Sequence, residues 1–227
     1  MSRNHDFISS KVCIVGRSGR GKSTLVRQLL GASKARFVFA FDHKDELKNK
    51  FGATQCRTWA QADAALAHCG SVCWKPEGAL KKSLSVFLER VFVVCKQLPG
   101  RKLIHFDEPN LLLPKFATTP EEDAAGHEKD FWHPLQAALE TGREWGIDIL
   151  ISAQRATHLH TDFRGQITQW IMFQSPAGWV APLEKDFEED FSEVSKKPED
   201  GGLDVGHFLS YEVESGERRR GVTAKGT

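Results

Sequence analysis

The chain has 227 residues, which is enough for one α/β domain with a sizeable core and too few for two comfortable ones. Its composition, 40% apolar and 27% charged, is typical of a soluble globular protein, and its net charge of +1 excludes a strong overall attraction to nucleic acid. No stretch approaches the roughly 20 apolar residues of a membrane span, and residues 1–6 lack a charged-then-apolar leader, so we expect a soluble, cytoplasmic protein.

The first half of the chain alternates short apolar runs with segments of helical periodicity. Apolar residues at positions 25, 26, 29 and 30 are spaced as on one face of a helix, and Pro99 stops the longest helical segment. The predicted elements are, in order, strand 11–15, helix 24–30, strand 36–41, helix 61–68, strand 71–74, helix 80–98 and strand 102–106.

The second half continues the alternation and ends differently. We expect an exposed loop over 113–129, a helix over 131–145, strands over 147–152 and 169–173, an acidic helix over 183–195, a linker, and a hairpin of 207–213 and 218–222. The alternation predicts an α/β fold with a mostly parallel sheet and helices on both faces. We expect a single domain over residues 1–227, with a core over about 8–175 and the C-terminal helix, linker and hairpin over about 176–227.

A glycine-rich motif follows the first predicted strand. Residues 16–23 read Gly-Arg-Ser-Gly-Arg-Gly-Lys-Ser and match G-x-x-x-x-G-K-[S/T], the P-loop, at every fixed position. Its glycines let backbone N–H groups curl around phosphates, and the next helix presents its positive end. We expect Lys22 to reach the β- and γ-phosphates and the Ser23 hydroxyl to ligate Mg²⁺. The predicted ATP-binding residues are Gly16, Arg17, Ser18, Gly19, Arg20, Gly21, Lys22, Ser23 and Thr24.

Two carboxylates follow the apolar strand 102–106. Asp107 is predicted to hold Mg²⁺ through water, and Glu108 is predicted to polarise the attacking water. The glutamate favours a hydrolase over a small-molecule kinase, which has no use for a water-activating base. His105, inside the strand, is expected to be a core residue.

An amide side chain ends the strand predicted over 147–152. In P-loop ATPases with a glutamate after the Mg²⁺ aspartate, an additional strand lies between the P-loop strand and the aspartate strand, and its terminal polar residue faces the γ-phosphate. Gln154 is therefore predicted to sense that phosphate, the alternative being a solvated strand-end amide. The expected fold class is a RecA-like P-loop NTPase with an additional strand and a catalytic glutamate.

Residues 142–155 carry a family resemblance. They read Gly-Arg-Glu-Trp-Gly-Ile-Asp-Ile-Leu-Ile-Ser-Ala-Gln-Arg, which resembles the Gly-Arg-x-x-Gly-Ile-His-Leu-x-Leu-Ala-Thr-Gln-Arg segment of the HerA/FtsK superfamily of DNA-pumping ATPases. Residues 39–46 resemble that superfamily's strand ending in Asp-Pro-Lys-Gly-Glu, and residues 165–173 resemble the segment after its sensor. With the P-loop and the two carboxylates, the resemblance covers roughly residues 11–175.

The resemblance implies an ATP-driven translocase of double-stranded DNA that works as a homo-oligomeric ring, a hexamer in this family. The chain is similar in size to the genome-packaging ATPases of icosahedral viruses with internal membranes. It therefore implies a viral packaging motor that docks on a capsid vertex or a membrane protein, in the host cytoplasm or with the virion. It also implies that Arg143 is an arginine finger acting in the neighbouring subunit's ATP site, with Arg155 as the competing candidate. The alternative is that Arg143 caps the end of its helix.

The local basic clusters are the candidate DNA contacts. They are Lys81–Lys82, the loop 155–164, Lys196–Lys197 and the run 218–220. Three other classes of P-loop protein have weaker support. A small-molecule kinase would use an arginine-rich lid, but the predicted loop 113–129 is acidic. The sequence contains neither the Asn-Lys-x-Asp guanine reader of a GTPase switch nor the Leu-Ser-Gly-Gly-Gln signature of an ABC-type ATPase. A motor of the same family serving conjugation, repair or filamentous-phage assembly remains the main alternative.

Overall fold

The computed structural model describes residues 11–47, 51–78, 80–107, 139–159 and 161–223. Within these residues, nine strands are hydrogen-bonded in the order β3-β4-β2-β5-β6-β1-β7-β8-β9. The strands are β1 Lys11–Val15, β2 Phe37–Phe41, β3 Thr54–Cys56, β4 Ser71–Trp74, β5 Lys102–Asp107, β6 Ile147–Ala153, β7 Gln169–Phe173, β8 His207–Glu212 and β9 Arg218–Val222.

The strand directions confirm the predicted fold class. β2 pairs in parallel with β4 and β5, β3 pairs in parallel with β4, and β1 pairs in parallel with β7. β7, β8 and β9 are antiparallel neighbours, so the predicted C-terminal hairpin is present. β6 stands between β5 and β1 in the strand order, which is the place predicted for the additional strand.

The helices of the described residues follow the strands along the chain. They are α1 Lys22–Ala32, α2 Trp59–His68, α3 Leu80–Gln97, α4 Thr161–Gly165, α5 Ala177–Phe187 and α6 Ser192–Ser195, with 3₁₀ turns at Ala156–His158 and Pro198–Asp200. The N-terminus of α2 shows why a helix begins there: the Thr58 side chain accepts from the Gln61 N–H while the Gln61 side chain accepts from the Thr58 N–H. Across the described ranges, no helix is both long enough and apolar enough to cross a membrane.

The chain divides into two compact units whose boundaries fall inside α1 and β6. The first unit comprises residues 1–9 and 27–150, and its described part contains β2 to β5 and the start of β6. All five residues of β2 are buried, as expected for a parallel strand covered on both faces. The Phe41 ring at the end of β2 packs against Phe87 of α3, with ring centroids 5.4 Å apart.

The second unit comprises residues 10–26 and 151–227. Its core forms where β7 and β8 meet α5 and the segment before α6. Trp170 of β7 is fully buried beside Phe187, and the rings of Phe191 and Tyr211 pack edge to face with centroids 5.1 Å apart. The aromatic residues of the antiparallel strands therefore hold the C-terminal part of this unit together.

Two helix predictions differ from the structure. The single helix predicted over 183–195 is wrong: α5 begins earlier, at Ala177, and ends where Glu188 takes the left-handed conformation (φ 53°), and α6 starts anew at Ser192. The helix predicted over 131–145 is wrong at its end, because residues 142–146 form a turn after helical residues 139–141. Residues 131–138 and the loop predicted over 113–129 lie outside the described residues.

Candidate nucleotide site

The P-loop leaves the buried strand β1 and is pressed against β7. At Gly16, φ is 150° and a Cβ atom would lie 2.6 Å from the Phe173 Cβ, so a side chain does not fit there. At Gly21, φ is 108° and a Cβ would lie 3.2 Å from the Phe173 ring. The first and last fixed glycines of the motif are thus required by backbone conformation and by close packing against one phenylalanine.

The functional side chains of the P-loop lie at its exposed rim. The Lys22 ammonium donates to the carbonyl oxygens of Gly16 (2.5 Å) and Arg17 (3.0 Å), so the cation lies over the loop. Ser18 and Ser23 are exposed, and Ser23 stands in the first turn of α1, where backbone N–H groups favour anions. This arrangement suits binding of a polyphosphate.

Gln154 contacts the P-loop. Its side-chain nitrogen, just beyond β6, donates to the Ser18 hydroxyl oxygen at 3.4 Å. The contact brings the predicted sensor to the phosphate-binding loop within the second unit. Its role in sensing a γ-phosphate stays a prediction.

The chain that precedes the C-terminal hairpin braces the P-loop. The Gly206 N–H donates to the Arg20 carbonyl oxygen at 3.1 Å, and the Thr223 N–H donates to the Gly206 carbonyl oxygen at 2.8 Å. The Thr223 hydroxyl oxygen lies 3.4 Å from where a Cβ on Gly21 would be. Sequence reasoning missed this brace, because a lone glycine in a linker carries no motif that points to the P-loop.

Asp107 ends β5 in the first unit and faces a cation. Its Oδ2 atom lies 2.5 Å from the Lys44 Nζ, and the side chains of Asp107 and Lys44 are 21% and 35% exposed. Glu108, the predicted water-activating base, lies outside the described residues. The carboxylate predicted to bind metal is therefore accessible and charge-compensated.

The turn that carries Lys44 is fixed by the buried carboxylate of Asp42. Asp42 is 4% exposed, and its two oxygens accept from the backbone N–H groups of Glu46 (2.9 Å) and Leu47 (2.8 Å). Asp45 takes a φ of 59° and pairs with Lys75 at 2.7 Å. We refer to residues 42–47 as the Asp42 turn.

Two histidines of the first unit have lowered pKa values. Burial lowers the pKa of His105, which lies in the core as expected, and its Nδ1 lies 2.9 Å from the Leu150 carbonyl oxygen, so the neutral ring donates this hydrogen bond. Burial also lowers the pKa of His43, and the nearby Asp107 charge partly offsets that effect. Both lowered pKa values favour neutral rings at neutral pH, so these two histidines add little positive charge near Asp107.

The residues present fit a magnesium ion of the kind that accompanies ATP. Such an ion prefers oxygen ligands and keeps several waters and phosphate oxygens, so the protein supplies only one or two ligands. Each unit, taken by itself, has one oxygen donor of this type: the exposed hydroxyl of Ser23 in the second unit and the accessible carboxylate of Asp107 in the first. The described part of the chain has no cluster of three His, Cys, Asp or Glu that could hold a metal alone.

The two arginine-finger candidates have different surroundings. Arg143 is exposed in the turn 142–146, next to the start of β5, since the Lys102 N–H donates to the Gly146 carbonyl oxygen at 2.9 Å. Asp107 ends the same strand, about 17 Å away by the rise of a strand. Arg155 instead stacks on the Trp179 ring, with its Cζ 4.3 Å from the ring centroid.

Most of the basic residues predicted to contact DNA are paired with carboxylates where the structure describes them. Arg218 contacts Glu189, Arg220 contacts Glu193, and Arg219 lies 2.6 Å from Glu217. Arg164 of the loop 155–164 lies 2.6 Å from Asp186. The side chains of Lys81 and Lys82 lie outside the described part of the structure. The densest basic run is therefore compensated locally.

Comparison with known proteins supports the fold. No protein-family model matches the chain, and no curated protein matches it in sequence. Among solved structures, the genome packaging NTPase B204 from Sulfolobus turreted icosahedral virus 2, in complex with AMPPCP, matches with a TM-score of 0.69 and 21% identity over 93% of this chain and 96% of that chain.

Two further solved structures share the fold at lower similarity. The pCW3 conjugation coupling protein TcpA, with ATPgS, matches with a TM-score of 0.57 and 16% identity over 95% of this chain and 60% of that chain. The Thermomonospora curvata Type VII secretion ATPase EccC matches with a TM-score of 0.60 and 12% identity over 96% of this chain and 24% of that chain. The chain therefore has the fold of these proteins, and the predicted resemblance is confirmed at the level of fold.

Proposed function

We propose that this chain is an ATP-driven translocase of double-stranded DNA that packages a viral genome. The observation that carries the proposal is a complete P-loop whose glycines are fixed against β7 and whose Ser18 contacts the strand-end amide of Gln154. The likeness to a viral genome packaging NTPase over nearly the full length of both chains supports the packaging role.

The residues have separate roles in this proposal. Lys22 binds the β- and γ-phosphates, the Ser23 hydroxyl ligates Mg²⁺, and Asp107 holds that ion through water; when bound, the ion would neutralise phosphate charge. Glu108 takes the proton of the attacking water, and Gln154 bonds to the γ-phosphate region and reports its presence.

A neighbouring subunit completes the site. Arg143 stands at the start of β5 and Asp107 at its end, so an Arg143 guanidinium that stabilises the phosphoryl group would act on the ATP of another subunit. This supports a homo-oligomeric ring, which we propose to be a hexamer. Such a ring would repeat a modest basic loop around a pore for DNA. Its remaining partner would be a capsid-vertex or membrane protein, in the host cytoplasm or the virion.

Steady-state ATP hydrolysis at several protein concentrations, with and without duplex DNA, tests this function. Turnover per subunit should rise with protein concentration and with DNA, and the DNA effect should fall as salt increases. Glu108→Gln should abolish turnover and retain ATP binding, whereas Lys22→Ala should weaken binding itself. If turnover per subunit depends neither on protein concentration nor on DNA, the chain is still a P-loop enzyme, but the translocase proposal is wrong.

A conjugation-type DNA-transfer motor is the second candidate, because TcpA shares the fold over 95% of this chain. The two candidates differ in the partner that the motor serves. Binding to a capsid-vertex protein together with stimulation by duplex DNA favours packaging, and duplex stimulation without such a partner favours transfer.

A further inference from the structure

The Asp107 carboxylate already has a cationic partner in its own unit. Lys44 Nζ lies 2.5 Å from Asp107 Oδ2, and both side chains are only partly exposed. A cation at this distance compensates the carboxylate and occupies one of its oxygens. A metal ion bound by the same carboxylate would have to share or displace that contact.

The backbone around Lys44 is held from both sides, so the lysine is presented to Asp107 by a fixed turn. Asp42 closes the Asp42 turn through two backbone hydrogen bonds, and the Asp42 N–H donates to the Trp74 carbonyl oxygen at 2.9 Å. On the other side, Asp45 is fixed by Lys75 (2.7 Å) and by the Gln55 amide (2.6 Å). A side chain on a fixed turn loses less conformational entropy in making an ion pair.

We propose that Lys44 is a positioning residue that competes with the divalent cation for Asp107. Its ammonium orients the carboxylate and lowers the affinity for the metal, and it is displaced when the metal arrives with the nucleotide's phosphates. The inference rests on the proposed function, which assigns Asp107 to Mg²⁺.

Manganese binding measures this competition without any need for turnover. Mn²⁺ is titrated by electron paramagnetic resonance into the full chain saturated with a non-hydrolysable ATP analogue. The proteins compared are wild type, Lys44→Met, Lys44→Arg, Lys75→Met, Asp107→Asn and the double variant Lys44→Met/Asp107→Asn. Lys75→Met is the matched control, because it removes an equal charge from a pair with Asp45, while the two Asp42 hydrogen bonds and the Gln55 amide still hold the turn that carries Lys44.

Lys44→Met should bind Mn²⁺ about two- to fivefold more tightly than wild type, the effect of losing a partly exposed ion pair. Lys44→Arg and Lys75→Met should stay near wild type, and the gain should vanish in the double variant. If Lys44→Met binds Mn²⁺ no more tightly than wild type, or if Lys75→Met gains as much Mn²⁺ affinity as Lys44→Met, Lys44 does not compete with the metal.

Asp107→Asn separates this inference from the proposed function. If that variant binds Mn²⁺ as wild type does, Asp107 is not a metal ligand, and the metal assignment fails together with the inference. If Asp107→Asn weakens binding and Lys44→Met does not strengthen it, the metal assignment stands and only the role of Lys44 is wrong.

Discussion

The side-chain nitrogen of Gln154 donates a 3.4 Å hydrogen bond to the hydroxyl oxygen of Ser18, which joins the end of β6 to the P-loop. An amide at the rim of a phosphate-binding loop can respond to the terminal phosphate, and it can transmit that response through the strand that carries it.

Replacing Gln154 with alanine should lower kcat for ATP by about 10²-fold, as the loss of one transition-state donor does, while ATP binding changes little. Gln174→Ala is the matched control: this amide also follows a strand, but its side chain donates to the Lys196 carbonyl oxygen. Single-turnover hydrolysis together with binding of a fluorescent ATP analogue separates the two steps. Equal kcat values for the two variants would contradict the assignment.

Gly16→Ala should destabilise the protein by about 2–4 kcal/mol, because the new Cβ would lie 2.6 Å from the Phe173 Cβ at a positive φ. Urea unfolding measures the effect. Gly31→Ala, in α1, is the control. A Cβ there meets nothing within 4 Å, and alanine should stabilise the helix by about 0.5–1 kcal/mol. If Gly16→Ala and Gly31→Ala are equally stable, Phe173 moves enough to accommodate the new Cβ, and the expected strain is absent.

The stability of the protein should fall as the pH drops below 6.5, because burial lowers the folded-state pKa of His105. In this range the unfolded chain binds a proton that the folded protein does not, so each pH unit costs up to about 1.4 kcal/mol until the lowered pKa is reached. His105→Asn should flatten the dependence in urea unfolding between pH 5.5 and 6.5, and the lowered pKa of His43 contributes a slope of the same sign. Between pH 7.5 and 8.5 the histidine is neutral in both the folded and the unfolded state. In that range the free energies of unfolding of wild type and His105→Asn should therefore change with pH in the same way.

Arg143→Ala should abolish turnover and retain ATP binding, with a loss of about 10³-fold or more for a missing arginine finger. Mixing it with Lys22→Ala, itself inactive, should restore part of the activity, since each protein supplies what the other lacks. Arg155→Ala should not show this complementation, because the Arg155 side chain stacks on Trp179 in its own subunit. If Arg143 only caps its helix, the variant loses stability and keeps its turnover.

Arg219→Ala should leave the salt dependence of DNA binding unchanged, because Arg219 pairs with Glu217 at 2.6 Å. Loss of a phosphate contact would reduce the slope of log K against log salt by about 0.9. Fluorescence anisotropy with duplex DNA at several salt concentrations measures that slope. A reduction of this size would place the basic run on DNA in spite of its carboxylate partners.

The sequence predicts several elements with the bounds that the structure has. β1, β4 and β7 are short apolar runs, and a parallel strand buried on both faces leaves this continuous apolar signal. The P-loop and the strand order around β6 follow from motifs whose residues have a mechanical role. The sequence therefore predicts the nucleotide-binding framework well.

Features fixed by contacts distant in sequence are not predictable in the same way. β3 has three residues and is held by pairing with β4, so its own pattern carries no signal. The break between α5 and α6 depends on a left-handed glutamate, Glu188, which propensity does not favour. Lys44 and Asp107 lie 63 positions apart, and only the folded sheet brings their charges together.

The brace from Gly206 to Arg20 sets an order of events during synthesis. The P-loop is synthesised before β7, against which it packs, and before the backbone that holds it, since these follow more than 150 and 180 residues later in the chain. In a nascent chain the P-loop sequence should therefore be present but not folded, and it should not bind ATP until the C-terminal hairpin has been synthesised. ATP binding by a nascent chain would then indicate that synthesis has passed residue 223.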